Sequence, residues 1–177
     1  MSPGHIDAQL VRRHLLALDT AVANLRRHAG RPLEALTDDL DEAWAVERGL
    51  LVCIQNVLDV ATHLAAAAGR DSPDYATAIE QLGALGALPA PFAARLRGIA
   101  GFRNLLVHGY LALDLARVHQ LLNLSLADFD EFALCIHTSL TAEEREADLT
   151  APPGAGPASG RAARTRSRAR SPRRPRK

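Results

Sequence analysis

The residues that could do chemistry lie closest together in the stretch FRNLLVHGY, Phe102 to Tyr110, where an otherwise apolar segment carries Arg103, Asn104, His108 and Tyr110. A guanidinium is planar and permanently charged, and its paired donors fit a phosphate. An imidazole exchanges a proton near neutral pH. The pairing suits phosphodiester cleavage, in which one group moves a proton and another holds the developing charge. Arg103 and His108 are five residues apart, about 140° around an ideal helix, so they share no face of an unbroken one. A helix that stops at Gly109 changes this. His108 then falls in the last turn, Tyr110 lies just beyond it, and the three side chains can converge on one pocket. The plainer alternative is an Arg and a His that only satisfy the last carbonyls of a helix.

Positioning these groups falls to a helix-forming chain. Of its 177 residues, 47% are hydrophobic and only 4% aromatic, so the core must be aliphatic and rich in the Ala and Leu that favour helices. That length suffices for one domain with one sizeable core. Ile6, Leu10, Val11, Leu15, Leu18, Val22 and Leu25 recur at helical spacing and predict a helix over about 6–28, ended by Gly30, Arg31 and Pro32. Thr37, Asp38 and Asp39 can cap a second, long helix reaching Ala68, with Leu40, Trp44, Leu51, Ile54, Leu58, Ala61 and Ala65 as its buried stripe. Ser72-Pro73-Asp74 opens a short helix over 74–83, and a fourth runs from Pro91 to Val107 with Phe92, Leu96 and Ile99 inward. Asp114 caps the last helix, striped by Leu115, Val118, Leu122, Phe129, Phe132, Ile136 and Leu140. Short connections and one apolar stripe per helix predict an all-α, up-down bundle of about five helices over 1–144.

The remainder, 145–177, reads as a disordered Arg/Ser/Pro-rich tail, with too little apolar surface to offset chain entropy. The net charge of +1 hides this division. Residues 151–177 hold nine of the 21 basic side chains and none of the 20 acidic ones, leaving 12 basic against 20 acidic in 1–150. An acidic body repels nucleic acid over distance, so any RNA site must be locally basic or helped by the tail. The tail lacks aromatics, which argues against base stacking by it. Cys53 and Cys135 form no CxxC and read as buried thiols in a reducing compartment. No apolar run approaches the ~20 residues of a membrane span, and MSPGHIDAQL has no signal-like core. A soluble, cytoplasmic protein is the expectation. His63, His119 and His137 show no ligand spacing, and Cys135 and His137, two apart, point to different helix faces. No metal and no cofactor are expected.

Four other features are less specific. Gln55, Asp59 and His63 fall at i, i+4 and i+8 and could stand behind the site or form an ordinary polar stripe. Trp44 suits the core or a dimer interface better than a base-stacking platform. Tyr75 reads as packing near the connection into the short helix, and Glu47-Arg48 as a surface pair.

The run Arg103-Asn104-Leu105-Leu106-Val107-His108-Gly109-Tyr110 matches an R-x4-H-x-Y signature and resembles HEPN-domain proteins, most of all the HepT toxin branch. GLLVCIQNVLDVATHLAAAAG (49–69) looks like that family's second helix. LGALGALPAPFAARLRGIAGFRNLLVHGYLALD (82–114) looks like its approach to and exit from the motif, and ADFDEFALCI fits its last helix. The likeness covers about residues 5–140. Gly109 between His and Tyr, and the basic tail, depart from the pattern.

The resemblance implies a metal-independent endoribonuclease toxin in which the 2′-OH of the RNA attacks and a cyclic phosphate remains. His108 would transfer the proton, Arg103 would bind the scissile phosphate, Asn104 would orient one or the other, and Tyr110 would line the site. Asp59 is singled out because similar sequences carry an acid there. Such proteins form homodimers with the motifs facing across a shared cleft. They are paired with an MNT-type nucleotidyltransferase antitoxin that transfers AMP to the motif's tyrosine, here Tyr110. A phosphate ester two residues from His108 would occupy the place of RNA and pair with Arg103. Two rivals remain: a non-catalytic HEPN subunit that binds or scaffolds a nucleotidyltransferase, and a cluster that only satisfies an interface. The complete motif favours the enzyme.

Overall fold

The computed structural model describes residues 6–108 and 114–150, with side chains over 6–107 and 114–142. Seven helices follow one another in these residues: α1 (Ala8–Leu25), α2 (Glu34–Thr37), α3 (Leu40–Ala67), α4 (Tyr75–Ala84), α5 (Ala90–Leu96), α6 (Ile99–His108) and α7 (Leu115–Thr150). The segment 109–113, which includes Tyr110, and the tail from 151 lie outside the described residues.

Local sequence dictates where the helices begin and end. An aspartate opens four of them, accepting from the otherwise unpaired amides of the first turn. Asp7 accepts from Leu10 N at 2.9 Å and Asp39 from Asp41 N and Glu42 N at 3.0 and 3.2 Å. Asp74 accepts from Thr77 N at 2.7 Å and Asp114 from Arg117 N at 3.1 Å. Glycine closes two helices with paired carbonyls. Gly69 (φ +69°) and Gly86 (φ +77°) take the left-handed conformation that follows a helix end. Arg70 N then reaches Ala65 O at 2.9 Å, and Ala87 N reaches Leu82 O at 3.0 Å, which gives a Schellman ending in both places.

α3 is the central rod, 28 residues and roughly 42 Å long. It packs against α1 on one flank and against α4, α6 and α7 on others, while α1 also meets α7. Val46, Leu50, Cys53, Ile54, Val57 and Leu58 of α3 are fully buried, against Val11, Leu15 and Leu18 of α1 and Phe129, Phe132 and Ile136 of α7. Among the described residues one helix, α3, is long and apolar enough to cross a membrane, with mean hydropathy 1.5 over its most apolar window, but 56% of that window is buried inside the bundle. Polar ties fasten the loop after α1. Glu42 takes His28 Nδ1 at 2.8 Å and also pairs with Arg31, Gly30 N donates to Asn123 Oδ1 at 2.7 Å, and His119 Nε2 donates to Arg31 O at 2.7 Å.

The all-α bundle is as the sequence predicts, with four differences in detail. The fourth expected helix is two, α5 and α6, broken at Arg97-Gly98. Glycine there weakens a helix by roughly 1 kcal/mol relative to alanine, and the flanking arginines are held elsewhere, Arg95 by Asp128 and Glu131 of α7 and Arg97 by Glu80 of α4. A single turn, α2, occupies the connection after α1. Leu40 and Trp44 do not belong to the buried stripe of α3: they are 63% and 61% exposed. At 100° per residue they lie off the face made by Ala43, Val46, Leu50 and Cys53, and that face is the one α1 and α7 cover. Cys135, expected buried, is half-exposed.

Candidate active site

α6 carries the Arg103–His108 part of the motif and lies against α3 and α4. Ile99, Ala100 and Leu106 are its buried residues. Arg103 falls four after Ile99 and three before Leu106, so it shares their inward stripe. The sequence therefore puts a permanent charge on a face meant for the core. The structure accommodates it half-buried, with the Nε–H buried and without a hydrogen-bond partner. An unmet buried donor on a charged group carries a desolvation cost. The other contacts of the guanidinium are slight. Nη1 donates to Asn104 Oδ1 at 3.4 Å, and the guanidinium carbon lies 5.9 Å from the centroid of the Tyr75 ring. Among the described residues no carboxylate pairs with Arg103.

Asn104, next along the helix, is exposed, and its side chain turns back to Arg103. His108 is the last residue of α6, which places its backbone at the helix end that the sequence predicts. The meeting of its imidazole and Tyr110 with Arg103 lies outside the described residues. Asp59 is half-buried on α3, the helix that α6 packs on, and accepts from Gln55 Nε2 at 2.7 Å. His63 does not join this pair: its Nε2 accepts from Asp7 N at 3.1 Å, at the start of α1. Sequence reading missed two side-chain contacts, of which the second reaches the site. Asn56 holds His14 of α1 (Oδ1 to Nδ1, 2.8 Å), and Tyr75 lies against Arg103. Tyr75 is 28 positions away, and no local pattern links the two.

Beside the motif's exit, a depression of about 460 Å³ is lined by Leu40, Ala43, Trp44, Glu47, Leu51 and Leu115. Leu115 opens α7 immediately after the segment that contains Tyr110. Burial raises the Glu47 carboxyl above the ordinary glutamate range. Burial, with Asp130 nearby, pushes the Cys53 thiol up to about 12, so it is no nucleophile at neutral pH. Among the described residues no group of three or more His, Cys, Asp or Glu is placed to hold a metal.

A family model described as Ribonuclease HepT-like matches residues 18–136. The chain belongs to the HepT-like family. The match takes in Trp44, Asp59, Tyr75 and the whole Arg103–Tyr110 motif of this HepT-like chain, and stops before the end of α7 and the tail. Its bundle is similar to several solved structures. The Bacillus subtilis cytosolic protein YutE, of unknown function, is 17% identical, with a TM-score of 0.69 over 78% of this chain and 93% of that one. The tri-AMPylated HEPN toxin of Shewanella oneidensis, in complex with an MNT antitoxin, is 19% identical, with a TM-score of 0.66 over 73% and 97%. A toxin–antitoxin complex with AMP-PNP is 18% identical, with a TM-score of 0.67 over 73% and 98%. At such identities the likeness is one of fold. No curated protein matches the chain.

Proposed function

We propose that this HepT-like protein is a metal-independent endoribonuclease, the toxin of a toxin–antitoxin pair. The observation that carries the reading is Arg103, a half-buried guanidinium with no carboxylate partner among the described residues and with an unmet Nε–H, five residues before His108 at the end of α6. A protein gains nothing in stability from such a charge, whereas a phosphate would meet its donors. In the reaction the 2′-oxygen of a ribose attacks the adjacent phosphorus. His108 takes the proton from that hydroxyl, Arg103 neutralises the charge growing on the phosphoryl oxygens, and the bond to the 5′-oxygen breaks. The proton passes to the departing 5′-oxygen, and a 2′,3′-cyclic phosphate is left. Asn104 orients the guanidinium, Tyr110 lines the site, and Asp59 stands behind it.

The site works in a homodimer, with two motifs across one cleft. The exposed Leu40 and Trp44, which line one depression together with Leu51 and Leu115, support this, since covering such a patch removes apolar surface from water. The antitoxin is an MNT-type nucleotidyltransferase that transfers AMP to Tyr110, and the pair acts in the cytoplasm. The complexes of similar folds with MNT antitoxins support that partner.

Purified wild type and His108→Ala, incubated with RNA in EDTA, test the proposal. Cleavage by the wild type alone, with cyclic-phosphate ends and the same helical circular dichroism in both proteins, is expected. If unmodified wild type, its intact mass free of added AMP, cleaves no RNA, the non-catalytic scaffold takes its place.

A further inference from the structure

Arg103 is the one charged residue on α6 among 99–107, it shares the inward stripe of Ile99 and Leu106, and among the described residues no carboxylate anchors it. Something else must fix the direction of its donors. A free guanidinium on three methylenes has rotamer entropy to lose, and a phosphate-binding fork is effective only when it is already aimed. Among the described residues its contacts are Asn104, at a long 3.4 Å, and the ring of Tyr75, whose centroid lies 5.9 Å from the guanidinium carbon.

Tyr75 is built to be a fixed surface. It is the first residue of α4, directly after the Asp74 cap, which holds Thr77 N at 2.7 Å. Its side chain is half-buried and packs against the core. The face of an aromatic ring attracts a cation within about 6 Å of its centroid, and unlike a carboxylate it does so without consuming the N–H donors. It limits where the guanidinium can swing and leaves the donor edge for an oxyanion.

We infer that Tyr75 is a positioning residue for the phosphate-binding guanidinium, its ring holding Arg103 in the orientation that receives the scissile phosphate. The inference rests on the ribonuclease reading for its consequence in catalysis, but the contact itself can be read without activity.

The experiment compares wild type, Tyr75→Phe and Tyr75→Leu. Leu keeps apolar bulk and lacks the ring face; Phe keeps the face and lacks the hydroxyl. The first readout is the Arg103 Nε–H resonance in full-length, isotope-labelled protein, with and without inorganic phosphate. In wild type and Tyr75→Phe it is ring-shifted and moves on adding phosphate. In Tyr75→Leu it loses the shift and exchanges faster. The second readout is RNA turnover: Tyr75→Leu loses about five- to twentyfold in kcat, the range of one cation–π contact, and Tyr75→Phe restores most of it. In an Arg103→Met background the same Tyr75→Leu change costs less than about twofold in the residual turnover, because no cation is left for the ring to hold.

An Arg103 Nε–H unmoved by Tyr75→Leu overturns the inference, as does equal loss in Phe and Leu variants that tracks a fall in Tm. A wild type that shows the ring shift but cleaves no RNA refutes the ribonuclease reading alone.

Discussion

Replacing Gly49 by alanine tests the packing that sets α1 against the central helix. In isolation the change should stabilise α3 by roughly 1 kcal/mol, because glycine is the poorer helix former. The structure predicts the opposite sign. A Cβ on Gly49 would lie 2.6 Å from Leu25 Cδ2 and 2.9 Å from its Cγ, where carbon atoms in contact sit about 3.5–4.0 Å apart. Leu25 ends α1, is 1% exposed, and has core on its other sides. Its whole branch must therefore retreat by about 1 Å into packed side chains, and overpacking of this kind costs roughly 1–3 kcal/mol. The helix-propensity gain offsets part of that, leaving a net loss of about 1 kcal/mol, or roughly 2–4 °C in Tm for a chain of this size.

The control is Gly101→Ala on α6, where an added Cβ meets nothing within 4 Å. It should gain about 0.5–1 kcal/mol. Urea unfolding followed by circular dichroism reads both variants. Opposite signs are expected, with unchanged m-values. If Gly49→Ala stabilises as much as Gly101→Ala, the close approach of α1 and α3 at Leu25 is wrong.

Glu47→Gln should raise stability at pH 7 and flatten its pH dependence. Burial lifts the Glu47 carboxyl above its unfolded value, so the stability it contributes is fully present below the ordinary glutamate pKa of about 4.3 and falls as pH rises through the raised folded value. Identical pH–Tm curves for the two proteins would remove Glu47 from the account. Tyr110→Phe should take up no AMP when incubated with a cognate nucleotidyltransferase and ATP, while wild type gains whole AMP units in intact mass; uptake by the variant would move the acceptor elsewhere. Trp44→Glu should shift the protein from dimer to monomer in sedimentation. Because Trp44 is 61% exposed in the single chain, the monomer's own stability should change by no more than about 0.5 kcal/mol. A dimer that persists would place the interface away from this depression.

Much of the architecture was written locally. Asp7, Asp39, Asp74 and Asp114 start helices, and Gly69 and Gly86 stop them, because these side chains and backbone conformations act over three or four residues and need no partner from elsewhere. The apolar periodicity of α1, α3 and α7 named most of the core for the same reason. The motif around Arg103 was equally legible, since its signature lies within nine residues.

The failures came where neighbours decide. Leu40 and Trp44 are apolar and fall in a helical pattern, yet which flank of α3 is covered depends on where α1 and α7 lie, and they leave that flank open. The break between α5 and α6 needed Arg95 and Arg97 to find acids on two other helices. By itself the sequence determined most of the helices, most of their caps and the motif, all consequences of short-range hydrogen bonding and periodicity. Only the tertiary structure decided that Arg103 points inward with a donor unmet, and that the ring beside it belongs to Tyr75, because contact across 28 residues is set by the packing of α4 on α6 and by nothing in either segment alone.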